Sequence, residues 1–515
     1  MMPHPDSYLP QWLIQDVLPL EVIIQILQFA LTEDPNVALR ASWVNQRWNG
    51  TINSCKELWQ TLVLTSAVIK KASCEAKQTA WKERAGGNIN TIVLKSLTFA
   101  AIKKFTRSKA RCVIGAKELD VQVSAPNMLN SLVGPLRDYA SSVTDFRIVG
   151  GYSAHPQPSW TEQSLTCGLI IQGRGHRMSP VLNRLESIEA IDVDYTARYR
   201  SDSELKRVNE PKVDSYPALK RLMLKQCRIT NVYANTGSGT SGTQTGDKYR
   251  ADILHTTLAG SPILEYLEVN MNWKDCHVAQ SSLDKKFTMP SLKTAKIHPH
   301  SIHCIDIDAP NLESIAYVLP SNFTLFRYHN IKSKRQPMIP DVADSLVAAD
   351  SMAILTSVEF ACHATDDIAR LENWISRLPN LYKLVLRNAC GTPYPVTTSE
   401  DEKPDLRASS RLLMLLNENP DFCPSLRHLE MEGCFAPGHV LVEYVKKRKG
   451  SGDYATLESV TLQACSEISE KAKTILEMEI GCLRIEAPVE AINRSQRFKE
   501  DEEVGFIQAE WMELL

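Results

Sequence analysis

One spacing recurs along this chain and fixes what it can fold into. An apolar residue is followed three positions later by a second and two positions after that by a third, often with proline two residues upstream of the first. Pro217-Ala218-Leu219 leads to Leu222 and Leu224, Pro262 to Leu264, Leu267 and Val269, Pro290 to Leu292, Ala295 and Ile297, and Pro310 to Leu312, Ile315 and Tyr317. Further copies stand at Leu355, Val358 and Phe360, at Leu381, Leu384 and Leu386, at Leu426, Leu429 and Met431, and at Leu457, Val460 and Leu462. Ile92, Leu94, Leu119, Val121, Phe146 and Ile148 are weaker upstream examples. The last two apolar positions of each copy alternate with other residues, the period of a strand that buries one face. No single copy can cover that face, so the copies must stack into a solenoid.

The first leucines are 45, 28, 20, 43, 26, 45 and 31 residues apart. Each long step holds a hydrophilic insert: Gly237-Ser238-Gly239-Thr240-Ser241-Gly242, Lys332-Ser333-Lys334-Arg335-Gln336-Pro337 and Ser399-Glu400-Asp401-Glu402-Lys403-Pro404. Removing about 15 residues from each restores a period of roughly 20–29. The pattern resembles the leucine-rich repeat over roughly residues 90–480, with inserts near 234–248, 332–345 and 397–408. Cys227, Cys434 and Cys465 each follow the last core position by three residues, where the cysteine-containing type of that repeat places a small buried turn residue.

Ahead of the repeats the period becomes helical. Leu20, Ile23, Ile24, Leu27 and Leu31 make one stripe, and Val22, Ile26 and Phe29 make a second on another side. Such a helix needs partners on both sides. Thr32-Glu33-Asp34-Pro35 breaks it, with Asp34 placed to cap the next helix and Pro35 in its first turn. Val37, Ala41, Val44, Trp48, Ile52, Leu58, Trp59 and Leu62 continue the apolar pattern. A segment this short buries too little of its own surface to satisfy so many apolar side chains, so part of it is expected to dock on another protein. Residues 65–88 read as a helical linker.

Leu18-Pro19-Leu20-Glu21, Val44-Asn45-Gln46-Arg47-Trp48 and Leu58-Trp59-Gln60-Thr61-Leu62, in that order, resemble the F-box; the departure from its pattern is the bulky Trp43. The resemblance implies docking of residues 18–64 on the Skp-type adaptor of a cullin-RING ubiquitin ligase, with Leu18, Pro19, Ile24, Leu27, Val44 and Trp59 in the contact. Together with the repeats, it makes the chain similar to F-box proteins with C-terminal leucine-rich repeats, whose solenoid presents a target protein to the ligase. The implied fold class is α+β: a small all-α F-box, then an α/β leucine-rich-repeat solenoid over 89–485, with 1–17 an N-terminal segment and 486–515 an acidic tail or cap.

No nucleophile elbow, Walker loop or zincin motif occurs, so a non-catalytic subunit without metal or cofactor is expected. Gly173-Arg174-Gly175-His176-Arg177 lacks the Walker spacing and fits a surface loop better than a phosphate cradle. Lys446-Lys447-Arg448-Lys449 reads as the basic end of a helix capped by Gly450, in preference to a nuclear import signal. Phe506, Ile507, Trp511, Leu514 and Leu515, beyond the acidic Glu500-Asp501-Glu502-Glu503, would cap the last repeat or bind a partner. A net charge of -2 supplies no global field for nucleic acid or an anionic membrane. The 13 cysteines form no C-x-x-C pair, and no basic leader precedes the apolar stretch at Val22, which leads to the expectation of a cytoplasmic and/or nuclear protein with free thiols.

In a strand of this phase, the residues between the core positions face outward: Arg221, Met223 and Lys225; Tyr266, Glu268 and Asn270; Lys296 and His298; Lys383, Val385 and Arg387; His428, Glu430 and Glu432. Exposed Met223 and Val385 beside Arg, Tyr and His make this stripe the expected target-binding surface. Its basic side chains suit an acidic or phosphorylated segment, although the glutamates dilute that case. Two functional readings follow. One is the substrate receptor of a ubiquitin ligase; the other is a scaffold that binds the Skp-type adaptor without cullin-dependent ubiquitination.

Overall fold

A computed structural model of the chain describes residues 19–33, 37–44, 46–105, 107–123, 141–150, 184–191, 194–199, 216–233, 257–258, 260–271, 287–297, 307–317, 343–344, 346–347, 349–362, 368–388, 407–419, 421–434, 436–463, 465 and 468–486. Leu18, His298, the glycine-rich stretch 173–177, the hydrophilic runs 237–242, 332–337 and 399–404, and the tail beyond 486 lie outside them. The chain forms two compact units, Met1–Pro262 and Ile263–Leu515. Each is built of parallel strands whose returns include helices, an α/β architecture of stacked repeats.

The first unit opens with α1 (Leu20–Glu33), α2 (Val37–Ala41), α3 (Gln46–Ser54) and a single 3-10 turn at Lys56–Trp59. Its sheet runs in chain order through β1 (Thr61–Thr65), β2 (Thr91–Leu97), β3 (Glu118–Val123), β4 (Asp145–Gly150) and β5 (Ser187–Ile191). After β6 (Asp194–Tyr199) comes β7 (Arg221–Tyr233), which pairs with β5 along its first half and with β6 along its second. The sheet therefore starts at Thr61, inside the segment that the helical period covers. Nearly all of residues 65–88 form the return from β1 to β2, carrying α4 (Ser66–Lys70) and α5 (Cys74–Arg84), and α6 (Phe99–Lys104) and α7 (Arg107–Ala110) follow in the return from β2 to β3. Trp59, Leu62 and Leu64 occupy the three core positions of the first repeat, so the last apolar cluster of the helical segment belongs to the sheet core as well.

The second unit continues the design with β8 (Tyr266–Met271), β10 (Thr294–Ile297), β12 (Ser314–Ala316) and β13 (Ser357–Cys362). It goes on through β14 (Lys383–Asn388), β15 (His428–Glu432), β16 (Ser459–Gln463) and β17 (Cys482–Glu486). Two short strands, β9 (Phe287–Thr288) and β11 (Ile307–Asp308), pair with each other. Among the helices of its returns are α8 (Ile368–Ile375), α9 (Arg407–Glu418), α10 (Gly438–Ser451) and α11 (Glu470–Glu479). No helix among the described residues is long and apolar enough to cross a membrane.

Three local devices make the repeats stack. Along most of the sheet, the residue before a strand offers its carbonyl to two N–H groups at the start of the next strand. Gln60 O accepts from Asn90 and Thr91, Thr356 O from Tyr382 and Lys383, Tyr382 O from Arg427 and His428, and Arg427 O from Glu458 and Ser459. The upstream proline sits second in a four-residue turn that closes on the first leucine: Leu292 N–H donates to Met289 O, Leu381 to Leu378 O and Leu426 to Cys423 O. Its fixed φ suits that place, and its missing N–H costs nothing there. The repeat cysteines complete the set. Cys227, Cys434 and Cys465 turn their thiols to Ala190 O, Leu386 O and Met431 O, each the last core residue of the preceding repeat, at 3.3, 3.5 and 3.2 Å.

α10 departs from expectation at its end. The helix runs through Gly450 to Ser451, and the left-handed cap is Gly452, with φ of 67°. A Cβ there would meet no neighbour, so Gly452→Ala isolates the backbone term. It should cost about 1 kcal/mol, read as a small fall in urea midpoint at constant slope.

Candidate functional site

The two apolar stripes of α1 differ in exposure. Ile23 and Leu27 of α1 are buried, whereas Ile26 and Phe29, three residues apart and so on one side of the helix, are exposed. Trp43 and Val44, in the turn after α2, are exposed as well. At 75% and 74% exposure, Trp43 and Phe29 are the most exposed large apolar side chains among the described residues. Pro19 is exposed and Ile24 half-buried. Two expected contact residues do not face outward. Leu27 packs inside, and Trp59 is fully buried, edge-on to Trp81 at 4.7 Å and donating from Nε1 to Ile52 O at 2.8 Å. The spacing that marks Trp59 as part of a helical contact is also the spacing of a repeat's first core position, and the sheet claims it.

On the outward faces of the strands, the expected target-binding residues are largely paired with carboxylates. In the first unit, Arg147 of β4 bridges Asp120 on β3 and Glu189 on β5 at 3.1 and 2.9 Å, and Lys225 of β7 pairs with Glu189 at 2.7 Å. Burial pushes the Glu189 carboxyl up, but Lys225 and Arg147 outweigh it and hold it below its ordinary range. Arg221 is exposed on the same strand. In the second unit, Lys383 meets Glu430 at 3.4 Å, and Arg387 reaches Glu359 at 2.7 Å, Glu430 at 4.0 Å and also Glu432. On neighbouring strands, Lys296 lies 5.9 Å from the Tyr266 ring, whose hydroxyl donates to Glu268.

This pairing corrects the expectation of exposed apolar residues on that face. Val385 is only 2% exposed and Met223 only 9%. Val385 lies in register between Glu359 and Glu430, and Arg387, two residues along, spans to both and closes over it. Met223 stands opposite Glu189, beside the Lys225 ion pair. Alternation decides which way a side chain points; the cross-strand neighbours decide whether water reaches it.

His428 belongs to a polar cluster. Its Nδ1 is 2.6 Å from Ser459 Oγ, its Nε2 is 3.8 Å from a Glu458 oxygen, and its ring packs edge-on to Tyr382 at 4.5 Å. A serine, histidine and carboxylate are thus together, but the Ser459 N–H is already donated to Arg427 O within the strand ladder and is not offered to a developing oxyanion. The cluster acts as a brace between β15 and β16. Among the described residues no group of His, Cys, Asp and Glu is gathered to hold a metal.

Beside this brace, at the edge where the strands begin, a groove of about 620 Å³ is lined by Thr356, Asn380, Tyr382, Pro424, Ser425, Arg427, Asp453 and Ala455. Tyr382 is 42% exposed, and the Arg427 guanidinium lies 5.9 Å from its ring while pairing with Glu458 at 2.5 Å. Tyr382 and Arg427 directly follow the first leucines, Leu381 and Leu426, and so lie outside the positions between the strand's core residues that alternation marks. Superposing the copies on their first leucine places Tyr382, Arg427 and Glu458 in one column, just after that leucine. The same superposition sets Glu359 and Glu430 on either side of Val385.

No protein-family model matches the chain, and no curated protein does. Among solved structures, the crystal structure of a Bacteroides fragilis protein aligns with 59% of this chain and 66% of its own length, at 13% identity and a TM-score of 0.26. The chain thus spans just under two-thirds of that protein.

Proposed function

We propose that the chain is a target-binding subunit of a Skp-cullin-F-box type ubiquitin ligase, its N-terminal helices docking on a Skp-type adaptor and its repeats holding a target protein. The supporting observation is the bared stripe: Ile26, Phe29, Trp43 and Val44 are exposed within a short segment that buries Ile23, Leu27, Ile52, Leu58 and Trp59. The F-box-like order of residues 18–62 supplies the class of partner. The contact set is accordingly Pro19, Ile26, Phe29, Trp43 and Val44, with Trp59 in a supporting place beneath.

The test is co-purification of the full chain with a Skp-type adaptor. Phe29→Asp with Trp43→Asp removes two large anchors and should weaken the complex at least about thirtyfold, since anchors of this kind carry about 2 kcal/mol or more. The melting temperature should hold, because both side chains face solvent. Undiminished binding by the double variant rejects the docking surface. Adaptor bound without any cullin in the intact complex would favour the scaffold reading over the ligase.

A further inference from the structure

We infer that the groove at the start of β14–β16 takes a basic stretch of a target polypeptide, a lysine or arginine side chain settling against the Tyr382 ring and the Asp453 carboxylate. The inference rests on the receptor reading for what the segment belongs to, but not for whether it binds. The volume, about 620 Å³, lies within the range of roughly 300–1,000 Å³ typical of ligand pockets. Its wall offers an aromatic ring that is well exposed, which a cation or an apolar side-chain stem can cover.

Charge selects between occupants. The cation in the groove, Arg427, is already held by Glu458 at 2.5 Å. Asp453 is exposed and has no cationic partner among the described residues, and Asp421 nearby is tied only to the Tyr454 hydroxyl. Groove and border together therefore carry three carboxylates, Asp453, Asp421 and Glu458, against two cations, Arg427 and the buried Arg448 guanidinium behind the Pro424 and Ala455 wall. An acidic or phosphorylated segment would have to displace Glu458 and face Asp453, whereas a basic one completes a pair that is half present. Nor do the strand faces restore the acidic reading, because Lys225, Lys383 and Arg387 already have carboxylate partners.

The experiment selects phage-displayed random heptapeptides on the immobilised full chain and titrates the most enriched peptide, synthesised and labelled, against purified protein. Enrichment of Lys or Arg is expected. The binding should fall at least tenfold in Asp453→Lys and in Tyr382→Ala, should weaken in Asp453→Asn, and should decline as salt rises from about 0.1 to 0.5 M. Enrichment of acidic peptides, no enrichment above background, or equal binding by Asp453→Lys would overturn the inference. Unchanged melting of each variant checks that the fold persists. Adaptor co-purification is scored on the same preparations. Peptide binding lost by the wild-type chain with adaptor retained removes the groove alone; adaptor binding absent with peptide retained removes the receptor reading alone.

Discussion

Trp59→Ala should destabilise the first unit by about 3–5 kcal/mol, the range for deleting a large buried aromatic side chain. The ring is fully buried, meets Trp81 edge-on, lies under the Arg84 guanidinium at 4.5 Å and donates to the backbone at the end of α3. Trp81 in turn donates from Nε1 to Thr61 O at 2.9 Å, so the pair ties the N-terminal helices to the first strand of the sheet. Adaptor binding should fail in this variant, but together with the loss of melting temperature, unlike in Phe29→Asp with Trp43→Asp. Calorimetry of the full chain separates the cases. A Trp59→Ala protein that melts normally yet loses the adaptor would return Trp59 to the contact surface and contradict the packing described here.

Arg448→Met should cost about 3 kcal/mol or more, by taking the guanidinium donor from the Ala455 and Leu426 carbonyls and leaving Pro424 O only the Ala455 N–H. The guanidinium is completely buried in the second unit, where it donates to Ala455 O at 3.0 Å, Pro424 O at 2.8 Å, Leu426 O at 3.2 Å and the Tyr444 hydroxyl at 3.3 Å. Burial pushes the neighbouring Tyr444 phenol up to about 12. Pro424 and Ala455 also line the rim groove, so the same substitution should loosen peptide capture there. Its basic neighbours are a useful contrast. Lys447 pairs with Glu443 at 3.1 Å and Lys449 with Glu479 at 2.8 Å, both at the surface, and alanine at either should shift stability by less than about 1 kcal/mol. Equal losses at Arg448 and Lys449 in a urea titration would count against the buried role.

What the sequence made legible follows from which residues fill the repeat. Where leucine stands first, as at Leu219, Leu264, Leu381 and Leu426, the strand phase reads directly and the core matches it. At Trp59, Ala116, Val143 and Ile480 the same buried place is held by a residue that gives no leucine cue, and these repeats escape notice or look weak. Trp59 escaped for a second reason: it satisfies a helical motif equally well. The helix ending at Gly452 and not Gly450 shows the usual limit of cap reading, since both glycines follow the same basic turn. Leu27 against Ile26 shows another. Periodicity separates the two stripes of α1, but which one the protein keeps for itself depends on where α2 and the Lys56–Trp59 turn pack. The candidate binding surfaces were least legible, because ion pairs such as Arg387 with Glu359 join residues from separate repeats, spaced by inserts of unequal length.

The carbonyl ladder at these strand starts is made wholly of main chain: Asn90 and Thr91 on Gln60, Tyr382 and Lys383 on Thr356, Arg427 and His428 on Tyr382. Proline, which has no N–H to donate, is barred from these rungs, and every other side chain is indifferent to them. The edge that carries Tyr382, Arg427 and Glu458 is thus free to be rewritten one residue at a time without disturbing the stack beneath it. A lineage of such chains could exchange partners along this margin while inheriting the same scaffold, and a designer could do the same with a handful of substitutions.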